Sequence, residues 1–308
     1  MSRPRRRQTG LLPTRTQQGV ALLTVLWLVG LVTLLAGSFS YMVRTETQLA
    51  KHQLQAVRSR LLAEAGTARA IFEVAQPAEA RDWRLDGAEN RLQMEAGHAA
   101  VRIQNASGFI DLNRAGRPLL SRLFQHLALP LEQRDALIDT LQDWRDSNDL
   151  VRLNGAEDRA YLMAGRDYGA KDADFEREDE LLKLLGVTPA LYRRIRPYVT
   201  VHSGMAAVNP AAADSQMLLL LAEGNARVVK DLLAAREQAD PGYGAFLAET
   251  RGLTQTADSP AFVVRAEAVA TGGGRVYREI AVNYDGRTGH YRILSWEEGS
   301  RIMTGDQG

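Results

Sequence analysis

QQGVALLTVLWLVGLVTLLAGSFS, residues 17–40, decides how the rest of the chain is read. No residue from Thr16 to Val43 is charged. A helix of about 20 apolar residues crosses the hydrocarbon core of a bilayer, so the run is long enough to span one. Arg3, Arg5, Arg6, Arg7 and Arg15 precede it with no acid among them, and Arg44, Glu46 and Lys51 follow as a weaker, mixed set. Positive charge collects on the cytoplasmic side of a span, which places the N-terminus in the cytoplasm and everything past Val43 outside. Ala36-Gly37-Ser38 would suit a signal peptidase. The run nevertheless exceeds the roughly 7–15 residues of a signal-peptide core. Helical patterning also continues past it, through Leu49, Gln53, Ala56, Val57, Arg60, Leu61, Glu64, Ala65, Ala68 and Ile71, with no proline. The pattern predicts one helix from about Ala21 to Ala75, roughly 80 Å long at about 1.5 Å per residue. Its first half is apolar all round and its second half amphipathic.

The 308 residues leave room for two ordinary domains, or for one domain with a large insertion. A net charge of +1 carries no nucleic-acid signal. The absence of cysteine excludes disulfides, thiolate metal sites and thiol nucleophiles. Charge is unevenly placed: between Glu132 and Glu180 fifteen acids face seven bases. Such asymmetry points to cations or basic partners at that place.

Past Gln76-Pro77 the pattern becomes that of strands. Leu92 and Met94, then Ala100, Val101 and Ile103, read as short strands broken at Gly97-His98, and Phe109 to Leu112 as another. From Arg114 to about Gly252 the reading is helical, with amphipathic segments at Leu119–Leu127, Arg134–Trp144, Glu178–Leu185, Pro189–Tyr198, Asp214–Ala222 and Ala226–Gln238. From Phe262 the period returns to two, with turns at Thr271–Gly274 and Asp285-Gly286 and a third strand over Tyr291–Trp296. The expected architecture is α+β: one antiparallel sheet packed on the long N-terminal helix and interrupted by a helical insertion.

The segment richest in chemistry is Asp143-Trp144-Arg145-Asp146-Ser147-Asn148-Asp149, followed by Asn154-Gly155-Ala156-Glu157-Asp158. Hard oxygen ligands crowded in a loop suit Ca²⁺, which takes about 6–8 oxygens. The EF-hand pattern is not met, because its glycine is missing. An exposed acidic loop whose Asp and Asn residues cap helices is the competing reading.

A basic leader ending in Gly19, with Val20 opening the apolar run, resembles the start of a type IV pilin or pseudopilin. The resemblance implies cleavage between Gly19 and Val20 by a prepilin peptidase and methylation of the new amino terminus, so that the anchor is kept. The fifth residue after the cut is usually Glu in that class; here it is Thr24. Lack of that Glu is a mark of the K-type minor pseudopilin of type II secretion systems. GFIDLNRA (108–115), DWRDSNDLVRLNGAEDRAY (143–161) and GVTPALYRRIRPYVTV (186–201) are also similar to that family. The resemblance implies a pilin-like fold with a SAM or helix-hairpin-helix-like all-α insertion. It divides the chain into a leader (1–19), a transmembrane part (20–43), a periplasmic helix with first strands (44–112), the insertion (113–258) and C-terminal strands (259–304). It also implies calcium in the insert, which makes Asp143, Asp146, Asn148, Asp149, Glu157 and Asp158 the candidate ligands. Glu176, Asp179 and Glu180 either join them or favour the start of the next helix through its dipole. The implied partners are I- and J-type minor pseudopilins at the pseudopilus tip, the prepilin peptidase and an inner-membrane assembly platform. The implied location is the bacterial inner membrane, single-pass, with the globular part in the periplasm.

Nothing in the sequence suggests catalysis. His52, His98, His126, His202 and His290 are scattered, and no P-loop or G-x-S-x-G is present. Leu181–Pro189 and Val208–Asn225 look like helix-hairpin-helix units. With Arg193, Arg194 and Arg196 they support a second reading, a membrane-anchored DNA-binding or DNA-uptake protein. Glu223 at the second turn and the acidic neighbourhood oppose it, because phosphate contacts need positive charge.

Overall fold

The computed structural model describes residues 18–238 and 242–299; the expected leader ahead of Gln18 lies outside them. The first helix, α1, spans Gln18–Ala75, and Gly19 and Val20 sit in its first turn. Two compact units divide the chain, Met1–Gln55 and Ala56–Gly308. In the first, every described side chain from Ala21 to Leu54 is exposed, including the unbroken apolar run. Apolar surface left bare in this way needs a non-aqueous neighbour, and the segment is long and apolar enough to cross a membrane.

The second unit is built on a five-stranded antiparallel sheet in the order β1-β2-β5-β6-β7. Its strands are β1 (Asp86–Met94), β2 (Gly97–Asn105), β5 (Ala261–Ala270), β6 (Arg275–Asp285) and β7 (His290–Gly299). Small residues let the end of α1 lie close to the sheet. A Cβ on Gly66 would stand 2.9 Å from Val101 Cγ2 and 3.3 Å from Ala99 Cβ. Leu62, Ala63, Ala70 and Val74 pack there on Ala99, Val101, Ile103, Val264, Ala266 and Ala268. The turn between β1 and β2 falls at Glu95-Ala96, not at the expected Gly97-His98. Gly97 is needed for a different reason: at φ 144° it opens β2, and a Cβ there would meet the Val269 carbonyl at 2.2 Å.

The chain leaves the sheet after Asn105 and returns at Ala261, and these points are neighbours because Asn105 pairs with Phe262 in the β2–β5 register. Between them lie β3 (Ile110–Asp111), α2 (Arg117–His126), α3 (Leu131–Arg145), α4 (Asp158–Met163), α5 (Pro189–Ile195), β4 (Val199–Thr200), α6 (Ser215–Leu221), α7 (Ala226–Gln238) and α8 (Gly242–Glu249). The expected all-helical block therefore contains a strand: β4 pairs in parallel with β3. The helix expected over Glu178–Leu185 is a 3₁₀ segment, Glu178–Lys183, and Arg196–Tyr198 is another. Proline at 197 has no amide hydrogen to continue α5. The insert has its own core, built on Leu119, Leu120, Leu123, Ile138, Leu141, Trp144, Tyr161, Leu181, Leu218 and Leu221.

The insert covers the sheet face opposite α1. Glu279 on β6 accepts a hydrogen bond from Arg196 of the insert, one of 2.7 Å from Arg265 Nε on β5 and one of 2.6 Å from the Tyr277 hydroxyl. Burial alone would raise this carboxyl, but the Arg265 and Arg196 charges overcome it and hold Glu279 far below the usual carboxylate range. A depressed carboxyl contributes stability above its unfolded pKa and loses it as pH falls toward the folded value. Glu279→Gln is therefore expected to cost about 3–5 kcal/mol at neutral pH, by leaving two buried guanidiniums without a counter-charge. Denaturant melts of wild type and variant at several pH values test this. The gap should stay constant from pH 8 to near the ordinary value of 4.5 and shrink only below it. A gap independent of pH down to strong acid would assign the loss to packing.

Candidate functional site

Three acids fall on one face of α3. Asp139, Asp143 and Asp146 sit at i, i+4 and i+7, and the loop after the helix folds back onto them. Asp139 accepts from Arg117 and from the Asn154 amide at 3.2 Å. Asp143 is fully buried; it accepts from Arg152 Nη1 at 2.5 Å and from the Arg152 amide at 3.2 Å. Asp146 caps the end of α3, binds the same Arg152 Nη1 and accepts from Asn148 Nδ2 at 2.8 Å. Asn148 in turn accepts from the Leu150 amide at 3.1 Å. The loop so fixed turns Leu150, Val151 and Leu153 into solvent.

The remaining expected ligands stand on the far side of the loop. Glu157 precedes α4 without capping it, and its Oε1 is buried with no hydrogen-bond partner. Asp158 opens α4 and accepts from the Ala170 amide at 3.0 Å. Asp149 is exposed. Among the described residues Asp149, Glu157 and Asp158 have no ion pair, whereas Asp143 and Asp146 share Arg152. Desolvation, then the charges of Asp143, Asp172, Asp146 and Asp149, push the Glu157 carboxyl up to about 7. Asp172 is raised too, by desolvation and then by Asp149, Asp158 and Asp146. Among the described residues, no three acidic or histidine groups stand close enough together to hold a metal ion. The structure thus gathers the expected acids into one mutually repelling neighbourhood without closing them into a complete shell.

Two glycines mark how tightly this neighbourhood is drawn. A Cβ on Gly155 would lie 1.8 Å from Asp143 Oδ2, and one on Gly169 would lie 1.7 Å from Asp158 Oδ1. Below the loop Trp144, Tyr161, Tyr168 and Phe175 form an aromatic floor, with Trp144 and Tyr161 ring centroids 5.6 Å apart. Sequence reasoning missed Arg152, which joins two of the acids, and Asp172, whose Oδ1 is buried without a partner and whose φ is 53°. Among residues with a side chain, Asn and Asp tolerate a left-handed backbone best, but no local pattern announced it. Glu180 and Asp179 belong elsewhere. Glu180 accepts from the amides of Glu176 at 2.9 Å and Arg177 at 3.1 Å, at the start of the 3₁₀ segment, and pairs with Lys171. Asp179 pairs with Arg177.

Two of the basic residues that favoured DNA are engaged within the fold, while Arg193 is exposed. Arg196 is buried against Glu279, and Arg194 donates to the Leu127 carbonyl at the end of α2.

Comparison with known proteins agrees with the resemblance read from the sequence. A family model described as type II secretion system (T2SS), protein K matches residues 90–204. Type II secretion system protein K of Pseudomonas aeruginosa is 26% identical over 265 residues, which is 77% of this chain and 73% of that protein. The protein of the same name from Klebsiella pneumoniae is 27% identical over 247 residues, 71% of this chain and 75% of that protein. Among solved structures, a chain of the GspK-GspI-GspJ complex from the enterotoxigenic Escherichia coli type 2 secretion system shares the fold. It superposes with a TM-score of 0.58 at 16% identity, over 84% of this chain and all of the other.

Gly155→Ala tests whether the close approach to Asp143 holds the loop. The methyl should force the Asp143 carboxylate from its pair with Arg152 and destabilise the insert by about 2–4 kcal/mol in a chemical melt. A change under about 0.5 kcal/mol, the range of ordinary surface substitutions, would show that the loop is not held there.

Proposed function

We propose that this protein is the K-type minor pseudopilin of a type II secretion system, a subunit that helps start the pseudopilus and stands at its tip. It works by binding, with no catalytic step. The observation that carries this reading is the combination of an exposed apolar α1 with a sheet interrupted between adjacent strands by a helical insert, across the span where protein K relatives match. A membrane-anchored DNA-binding role has no support in the comparisons, and Arg196, one of its three arginines, is buried against Glu279.

The finer points belong to the same proposal. The chain is cut between Gly19 and Val20 by a prepilin peptidase and methylated on Val20. It is then held in the inner membrane with its globular part in the periplasm, and it meets the assembly platform there. Its partners at the tip are the I- and J-type subunits, by analogy with the complex whose fold it shares. The insert is likened to SAM and helix-hairpin-helix folds through its short helix pairs at 178–195 and 215–238.

The acidic loop fits calcium in its chemistry. Its donors are hard oxygens, and Glu157 and Asp172 each keep a buried oxygen without a partner. Burial and then mutual repulsion raise both carboxyls, and a divalent ion would offset both by supplying the missing positive charge. Asp143, Asp146, Asn148, Asp149, Glu157 and Asp158 are the proposed ligands, and Asp172 is added to them. Calcium would supply positive charge and a cross-link between the end of α3 and the start of α4. In a chain without cysteine no disulfide can provide that link.

Two experiments test these points. Thermal melts in calcium and in chelator should show a calcium-dependent gain for the wild type. That gain should approach the ~2.7 kcal/mol expected when ligand exceeds its Kd about a hundredfold. Asp146→Asn combined with Glu157→Gln should abolish the gain while leaving the chelator melt within a few degrees. An equal loss in chelator would assign these acids to capping alone. For processing, Gly19→Ala should leave the precursor uncut when a prepilin peptidase is co-expressed, as read from intact mass. Normal cleavage of the variant would remove the leader from the proposal.

A further inference from the structure

The five-stranded sheet is wider than the helix that covers it. Strands about 4.8 Å apart make it roughly 19 Å between its outer strands, whereas a helix with its side chains is about 10 Å across. The helix end lies over β2 and β5, with Gly66 beside Ala99, Val101 and Ala266. The sheet's core extends to Ile280 and Val282 of β6 and includes no residue of β7.

The register shows what β7 presents on that face. Trp296 pairs with Ile280, Ile293 with Val282 and Tyr291 with Tyr284. Paired residues point to the same side of a sheet, so these three lie on the face of α1, in the lane beside it. Tyr291 is 55% exposed, Ile293 53% and Trp296 58%. The Trp296 ring is held in place, because the buried Arg278 guanidinium stacks on it at 5.5 Å. Glu298 next to it accepts from Arg278 Nη2 at 2.7 Å and from Arg60 Nε of α1 at 2.6 Å, closing one end of the lane.

We infer that this lane is a seat for an amphipathic α-helix of a second pilin-like subunit, lying alongside α1 on β6 and β7. The inference rests on the assembly role proposed above and adds the surface. Aromatic side chains bury about 150–250 Å² each, so covering the exposed parts of Tyr291, Ile293 and Trp296 removes roughly 350 Å² from water. A stable interface takes about 800 Å² from each partner. The lane thus supplies nearly half, and the remainder falls to the flank of α1 that carries Arg60, which reaches Glu298 of β7. An added strand would not cover these side chains, which project from the sheet face and not from its edge. The register shift between Ala281 and Val282 also disturbs the β6–β7 ladder beside that edge, as bulges that protect edges from strand addition do.

The cysteine-free chain suits a cross-linking test in the full-length protein. Ile293→Cys is co-expressed with I- and J-type subunits that carry single cysteines at successive positions of their periplasmic helix. Disulfide yield should peak every three to four partner positions and exceed that of Arg292→Cys, which faces the opposite side, at least tenfold. Ile293→Asp should reduce copurification of the same partner at least tenfold without moving the melt of the isolated chain by more than a few degrees. Yields that alternate every second position would mean strand addition and overturn the seat. So would equal yields at 292 and 293, or cross-links only between copies of this chain. Partners that copurify with the parent chain but never cross-link at 293 would overturn the seat and leave the assembly role standing. Failure of the parent chain to copurify with them would overturn both.

Discussion

The insertion depends on one buried side chain. Asn105 stands where the chain leaves the sheet, and its amide closes the neck. Its Nδ2 donates to the Ser259 carbonyl at 2.8 Å, while its Oδ1 accepts from the amides of Ser259 and Ser107, both at 3.0 Å. Ser259 passes the linkage inward by donating to the Ser203 carbonyl at 3.0 Å. Each of these groups is buried, and an unmet polar group there would cost about 1–3 kcal/mol. Satisfied, they pin the outgoing and returning chains side by side, so β2 and β5 pair in regular register although more than a hundred residues separate them in sequence. The sheet tolerates so large an insert because its two ends never have to part.

Much of this fold is written in periodicity. The long first helix, the return to period two after Phe262 and the apolar faces of α2, α3 and α7 all follow from the spacing of apolar residues. What periodicity cannot carry is long-range polar closure. Nothing near Asn105 predicts that Ser259 will meet it, and nothing near Arg196 marks Glu279 as its partner. Of the arginines counted as a possible phosphate face, Arg196 proved to be a buried counter-ion and Arg194 a helix-end donor. The strand pair β3–β4 was illegible for a similar reason. Two residues per strand give no period to read, and their pairing depends on Asp111 accepting from Ser203 Oγ at 3.0 Å and from the Gly204 amide at 2.7 Å.

The acidic segment was legible as chemistry and only partly as geometry. The crowding of acids over 143–158 was readable, but the structure, not the sequence, put Asp139, Asp143 and Asp146 on one side and the Gly155 backbone against the Asp143 carboxylate. Arg152 was the surprise. Its guanidinium joins Asp143 to Asp146, so two of the acids already have positive charge, while Glu157 and Asp172 have none. The site is therefore divided into a neutralised half that shapes the loop and an unneutralised half that repels itself. A cation admitted at the second half would relieve the repulsion there, and to take Asp143 and Asp146 as ligands too it would have to share them with Arg152.

The two faces of the sheet have been given different tasks. Toward the insert, the face is sealed by a charged cluster, Arg196–Glu279–Arg265 with Tyr277, and by the pair between Arg177 and Glu297 on β7. Buried ion pairs of this kind add little net stability over apolar packing, but they penalise any docking in which a charge is left unmet. That suits a permanent intramolecular seam that must form in one way. Toward α1 the face is apolar, and beyond the helix it ends in Tyr291, Ile293 and Trp296. Apolar surface is indifferent to small changes of angle, so it suits contacts made and adjusted between subunits. With one face closed by the chain's own insert, association through the sheet falls to the face that α1 already occupies.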